Sequence, residues 1–168
     1  MTLREIEEGD ASAIVAAFER LSDESRYSRF MQHKKQLDAG ALERGVHPRP
    51  GLDFVLVATV PALDGIDIVG AAQYVRAQAG DDRVCEFAVT VAEDWRGNGL
   101  ATALISRLLR RARRDGFETI EGWVLASNAS MLALVRALRF SADPVPDEAG
   151  VVRVWRELRD APRRIRAR

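Results

Sequence analysis

Three groups of residues could do chemistry. The first is Arg96-Gly97-Asn98-Gly99-Leu100-Ala101-Thr102, which stands between a strand-like and a helix-like segment. Phe87 to Val91 alternates apolar with small residues and is rich in β-formers, so it reads as a strand. From Gly99 onward Leu100, Leu104, Ile105, Leu108, Leu109 and Ala112 recur at helical spacing. A strand that feeds a helix through a Gly-rich turn leaves several backbone N–H groups without intrahelical partners, all pointing at one spot. With the positive end of the helix dipole and the Arg96 side chain added, that spot suits an anion such as a pyrophosphate. The second group is Glu86, a carboxylate in an otherwise apolar strand, where burying the charge is costly without a partner. A salt bridge to Arg26 or Arg29 would be its structural role, and general-base work its chemical one. The third is Asn128, which with Ser127 opens a later helix, so capping is its plain structural role.

Two commoner phosphate loops do not fit. The dinucleotide fingerprint G-x-G-x-x-G, counted from Gly97, meets Thr102 in its last position. The triphosphate loop needs Gly-Lys followed by Ser or Thr, and no such tripeptide occurs. Arg96 to Ala101 does fit [QR]-x-x-G-x-[GA].

The elements that must position these residues follow in order. Leu3 to Ile6 is a short strand, and Asp10 offers an N-cap to a helix burying Ile14, Val15, Phe18 and Leu21. Ser22-Asp23 is a second cap. Behind it, Glu24 to Phe30 reads either as an amphipathic helix with Tyr27 and Phe30 packed and its arginines in water, or as part of a functional surface. A helix over Leu37 to Arg44 ends at Gly45, and His47 to Gly51 is a loop. Phe54 to Val60 should be buried on both faces. Pro61 to Asp67 is a turn, after which Ile68 to Val75 returns antiparallel. Gly80-Asp81-Asp82 is the next turn, and the strand through Glu86 follows. The helix after the anion loop stops at Asp115-Gly116, with Arg110, Arg111, Arg113 and Arg114 complementing its dipole. Thr119 to Leu125 is a strand, and the helix after Asn128 carries Met131, Leu132, Leu134, Val135 and Leu138. Pro144 to Gly150 is a turn, and Val151 to Leu158 is the last strand. This order predicts a mixed α/β domain around one central sheet.

The whole chain sets outer limits. Its 168 residues suit one domain with a real core. Lys and Arg number 25, as do Asp and Glu, so no global field draws the chain to nucleic acid or to a membrane. The acidic opening residues do not form a signal peptide, and no apolar run approaches bilayer-spanning length. Cys85 is the single cysteine, which excludes an internal disulfide and a cysteine-based zinc site, so a cytoplasmic protein without a metal is expected. Residues 1–158 make the domain, and 159–168 a basic tail with Arg159, Arg163, Arg164, Arg166 and Arg168 around Pro162.

The Arg96 to Ala101 segment resembles the acetyl-CoA loop of the GNAT acetyltransferase superfamily, and the element order from about residue 2 to 158 is similar to the GNAT fold. The resemblance implies a central mixed sheet, mostly antiparallel, with one splayed parallel pair flanking a coenzyme cleft. It implies that the backbone of Val89, Thr90 and Val91 bonds the pantetheine and that Arg96, Gly97, Asn98, Gly99, Leu100, Ala101 and Thr102 hold the pyrophosphate. Asn128 falls where the family commonly places an Asn on the pantetheine arm. Leu21 to Phe30, Cys85 to Val89 and Ser127 to Met131 are also similar to stretches of the acetyltransferase domain of bacterial protein lysine acetyltransferases. There, the glutamate at the Glu86 position is the proposed general base.

The chemistry is consistent with that role, because acyl transfer to an amine needs the amine neutral, and a carboxylate partly removed from water can accept its proton. Backbone N–H groups near Phe87 to Val89 would stabilise the developing charge on the thioester oxygen. Cys85 alternates to the opposite face and is expected to be buried and inert. Two departures stand out: Val135 lies where many relatives have a Tyr, and Arg139-Phe140 replaces a common Gly-Phe. The resulting expectation is an acetyl-CoA-dependent N-acetyltransferase with Glu86 as base and a protein lysine as first acceptor. A small amine, a non-catalytic acyl-CoA sensor and, through the tail, a nucleic-acid binder are the alternatives; a homodimer is left open.

Overall fold

The computed structural model describes residues 1–30, 38–78 and 80–159. A single seven-stranded sheet organises the chain, in the order β1-β2-β3-β4-β5-β7-β6. Its strands are β1 (Thr2–Glu5), β2 (Phe54–Ala62), β3 (Gly65–Arg76), β4 (Val84–Val91), β5 (Thr119–Leu125), β6 (Ser141–Pro144) and β7 (Val151–Glu157). All neighbours are antiparallel except β4 and β5, the one parallel pair. The helices are α1 (Ala11–Glu19), α2 (Asp23–Phe30), α3 (Ala39–Val46), α4 (Leu100–Arg114) and α5 (Ala129–Ala137). Among the described residues no helix is long and apolar enough to cross a membrane.

Side-chain alternation along the strands divides the core between the two faces of the sheet. On one face Leu56, Ala72, Tyr74, Cys85 and Phe87 meet the buried stripe of α4, made of Leu100, Leu104, Ile105, Leu108 and Ala112. Gly70 lets that helix approach closely, because a Cβ there would lie 3.1 Å from both Leu100 Cδ2 and Leu104 Cδ1. On the other face Val55, Val57 and Ile68 pack with Ile14 and Ala17 of α1. The expected burial of β2 on both sides follows, since Phe54 to Thr59 are all buried.

Local details depart from the sequence expectations for physical reasons. The β2–β3 turn is tighter than Pro61 to Asp67: Pro61 pairs with Ile66 and Ala62 with Gly65, which leaves only Leu63 and Asp64 between the strands. Asp10 precedes α1 but does not cap it with its side chain. Its carboxylate instead accepts two bonds from the Arg4 guanidinium at 2.8 Å each and one from the Glu7 N–H, an ion pair that outcompetes a backbone cap. Tyr27, expected on the packed side, is exposed, while Arg29, expected in water, is half-buried. The Phe30 side chain and residues 31–37 and 160–168, with the start of the helix expected at Leu37 and all but Arg159 of the basic tail, lie outside the described residues. The strand β6 was not anticipated, because Ser-Ala-Asp-Pro is polar and exposed throughout.

Candidate active site

The site begins where β4 and β5 part. They pair at only three positions, Val84↔Thr119, Cys85↔Ile120 and Glu86↔Glu121, and no pairing continues beyond them. Gly122 and Phe87 mark the divergence. A Cβ on Gly122 would fall 2.8 Å from a Phe87 ring carbon and 3.1 Å from the Phe87 carbonyl oxygen, so the ring occupies the place of a side chain on β5. The ring centroid is 5.3 Å from that of Phe140, which backs it from the core. Past this wedge a cleft of 1020 Å³ opens between the strands, with Val89, Thr90 and Val91 along one wall and Gly122 and Trp123 on the other.

The anion loop closes one end of the cleft. A 3-10 turn over Glu93–Trp95 leads into it, and Gly97 and Gly99 take φ values of 75° and 76°, a region that disfavours residues with a Cβ. Neither glycine would meet another atom on gaining a Cβ, so backbone conformation and not space calls for glycine. The first backbone bond of α4 runs from the Ala103 N–H to the Gly99 carbonyl at 3.0 Å, and no side chain caps the helix. The N–H groups of Leu100, Ala101 and Thr102 therefore keep the orphan donors of a helix start, beside a cleft that these residues line. Arg96 is anchored from behind: its Nε donates to the Val91 carbonyl at 3.4 Å and Nη2 to Ser25 Oγ at 2.9 Å. Gly97 and Gly99 line the cleft, whereas Asn98 is exposed and does not. Asn128 combines two placements. Its Oδ1 caps α5 by accepting from the Met131 N–H at 3.2 Å, and its side of the helix borders the cleft.

Glu86 occupies the last position of β4 paired with β5, one residue before the cleft lining starts at Phe87. It is half-buried, and the ion pair with Arg26 or Arg29 is not formed. Arg26 instead donates to the Phe18 and Glu19 carbonyls and lies over the Phe18 ring at 4.7 Å. Among the described residues Glu86 has no hydrogen-bond or ion-pair partner. Burial first, and then the neighbouring carboxylate of Glu121, push its pKa up from the ordinary glutamate value. Glu121 is itself held by Arg153, whose Nε and Nη2 both meet Oε2, at 2.6 and 2.5 Å. Cys85 points to the opposite face as expected, fully buried, and burial pushes its thiol up to about 12. Val135 is fully buried in the core, so that position offers no acid to the cleft.

Two features of the site went unnoticed in the sequence. Glu121 carries the same signal as Glu86, a glutamate inside an apolar strand, and could have been found by it. The Ser25–Glu93–Arg96 junction joins residues about seventy positions apart and leaves no local pattern to read.

A splayed parallel pair with a Gly-rich turn and a helix start free of side-chain caps at its mouth is the frame expected of a coenzyme A-dependent transferase. The chain belongs to the acetyltransferase (GNAT) family: the model of that family matches residues 15–140. An acetyltransferase of Pseudomonas aeruginosa is 30% identical over 147 residues, which cover 88% of this chain and 78% of that one. The GNAT domain of S. lividans PAT superposes with a TM-score of 0.82 at 26% identity, covering 92% of this chain and 89% of that one. A Salmonella typhimurium protein whose structure holds its cofactor acetyl-CoA superposes with a TM-score of 0.74 at 20% identity, over 96% of this chain and 95% of that one. The protein is an acetyl-CoA-dependent N-acetyltransferase. Its mostly antiparallel sheet with one parallel pair is the expected GNAT-like fold.

Proposed function

We propose that this enzyme acetylates a lysine side chain of a protein, with Glu86 as the general base. Residues 1–158 are the catalytic domain in this reading, and 159–168 a basic appendage. The coenzyme lies in the cleft between β4 and β5, with Val89, Thr90 and Val91 bonding the pantetheine through their backbone. Arg96, Gly97, Asn98, Gly99, Leu100, Ala101 and Thr102 form the pyrophosphate end, where orphan N–H groups and two left-handed glycines fit an anion. Asn128 borders the same arm. When bound, acetyl-CoA supplies the acetyl group as a thioester. The acceptor's ammonium would first give a proton to Glu86, whose raised pKa brings it closer to that task. The neutral amine then attacks the thioester carbonyl, the carbon–sulfur bond breaks, and the proton shed by the new amide nitrogen goes through water to the departing thiolate.

The observation that carries the reading is the place of Glu86: unpartnered among the described residues, at the point where the strands separate. The resemblance to the S. lividans PAT domain and the exposed Trp123 at the cleft wall support a protein acceptor. A small cationic amine is the second reading, favoured by the Glu121 carboxylate beside Glu86.

Glu86→Gln keeps the shape and removes the base. Turnover is expected to fall by roughly 10²- to 10⁴-fold, while the Kd for acetyl-CoA from calorimetry changes by less than about twofold. Unchanged turnover would dismiss Glu86 as the base. Comparing kcat/KM for lysine peptides with that for polyamines and amino acids tests the acceptor: a clear preference for the small amines overturns the protein reading.

A further inference from the structure

Among the described side chains of helix α2 only Ser25 is buried. Its sequence is Asp-Glu-Ser-Arg-Tyr-Ser-Arg-Phe, with four charges in eight residues, and Tyr27 stands exposed. Yet Glu24, Ser25 and Arg29 of this helix wall the coenzyme cleft. Arg26 ties it to the end of α1, and a polar junction centred on Ser25, which is only 8% exposed, ties it to the loop. Ser22 starts the helix by accepting the Ser25 N–H on its hydroxyl at 3.1 Å. Ser25 Oγ then donates to Glu93 Oε1 at 2.9 Å and accepts from Arg96 Nη2 at 2.9 Å, while the Ser22 N–H donates to the same Glu93 oxygen at 3.2 Å. Glu93 and Arg96 belong to the loop, and Arg96 also reaches back to the end of β4 through the Val91 carbonyl. Hydrogen bonds from Ser22 first, and then from Ser25, hold the Glu93 carboxyl below its usual range, so it is an acceptor only at neutral pH. The guanidinium is a donor only. A group set between them must donate to one and accept from the other, which a hydroxyl does and an alanine methyl cannot.

We infer that Ser25 is a positioning residue that couples helix α2 to the coenzyme loop, so that filling the loop orders the helix walling the cleft. Coupling of this kind is reciprocal: whatever fixes the loop steadies α2, and loosening α2 weakens what the loop binds. The inference rests on coenzyme binding at the loop and is independent of the acceptor.

The test uses the full chain with coenzyme A as the probe. Ser25→Ala is expected to weaken coenzyme A binding by about fivefold to tenfold in calorimetry. In the wild type, adding coenzyme A should slow amide hydrogen exchange both at residues 97–102 and at residues 22–30. In Ser25→Ala the loop should still be protected, but the added protection of 22–30 should be lost. Ser25→Thr retains the hydroxyl and should restore both readouts. On an Arg96→Gln background Ser25→Ala should add less than about twofold, since the junction is already broken. Wild-type protein that fails to bind coenzyme A would sink the reading of the loop itself. Normal wild-type binding, with Ser25→Ala matching it within twofold or keeping the ligand-induced protection of α2, would overturn only the coupling. A variant that merely loses stability would show general loss of protection without separating loop from helix.

Discussion

Glu86 and Glu121 stand in register on adjacent parallel strands, and among the described residues Glu121 but not Glu86 has a cation against it, Arg153. Glu121 adds to the burial that raises the Glu86 pKa, so a base active only when ionised gains activity later on the way up the pH scale. Glu121→Gln removes that repulsion, and the acidic limb of the kcat/KM profile should move to lower pH; no movement, or movement upward, contradicts the assignment. The same raised pKa bears on stability. A carboxyl that holds its proton more tightly in the folded state stabilises the fold below the unfolded pKa and loses that contribution as pH rises through the folded one. At neutral pH the ionised Glu86 is therefore a burden on the fold that Glu86→Gln removes. Residues of this kind were partly legible. Strand alternation separated Cys85 from Glu86 correctly, and the odd placement of a charge in an apolar strand singled out Glu86. That the Arg26 guanidinium would turn to backbone carbonyls instead of to Glu86 depends on tertiary placement that no local pattern encodes.

Among the elements, the strands and helices with strong periodicity were readable nearly to the residue: β5 was expected at Thr119 to Leu125 and is found there. The misses fall where side chains carry no pattern, as in β6, or where a turn is set by pairing instead of by its own residues, as at Pro61. The Arg139-Phe140 departure resolves simply. Arg139 adopts φ 63°, and its N–H and that of Phe140 donate to the Arg136 and Val135 carbonyls, both at 2.9 Å, so the helix ends in a left-handed cap despite lacking glycine. The splay of β4 from β5 had no local signature, because it arises from a ring on one strand meeting a glycine on the other. Gly122→Ala tests that arrangement. With the added methyl 2.8 Å from a buried ring and 3.1 Å from a carbonyl oxygen, neither neighbour can yield freely. The cost should be about 1–3 kcal/mol in urea denaturation. A neutral result would show that the wedge is not tightly set.

For the molecule as a whole, the ion pair between Arg4 and Asp10 pins the first strand to the start of α1. Asp10 is 4% exposed, and the hydrogen bond from Arg4 first, assisted by the Glu7 N–H, holds its carboxyl below the usual aspartate range. A depressed carboxyl stabilises the fold above its unfolded pKa and loses that contribution as pH falls through the folded one. Asp10→Asn should thus cost about 1–3 kcal/mol at pH 7 by urea unfolding, with the gap to wild type narrowing in acid below about pH 4. A gap that stays constant with pH would assign the loss to packing and not to charge.

The three-residue length of the parallel pairing has a consequence for the molecule without its coenzyme. Every other internal strand boundary is zipped over seven or more positions or closes at the outer rim, but the seam after Glu86 leaves backbone donors and acceptors of β4 turned toward empty space. An open strand edge is a template for another chain. Here that edge lies inside the sheet, flanked by β5 and the start of α4. In the proposed reading the pantetheine arm pairs with that edge, so the coenzyme covers the backbone groups that a strand of another chain would otherwise seek.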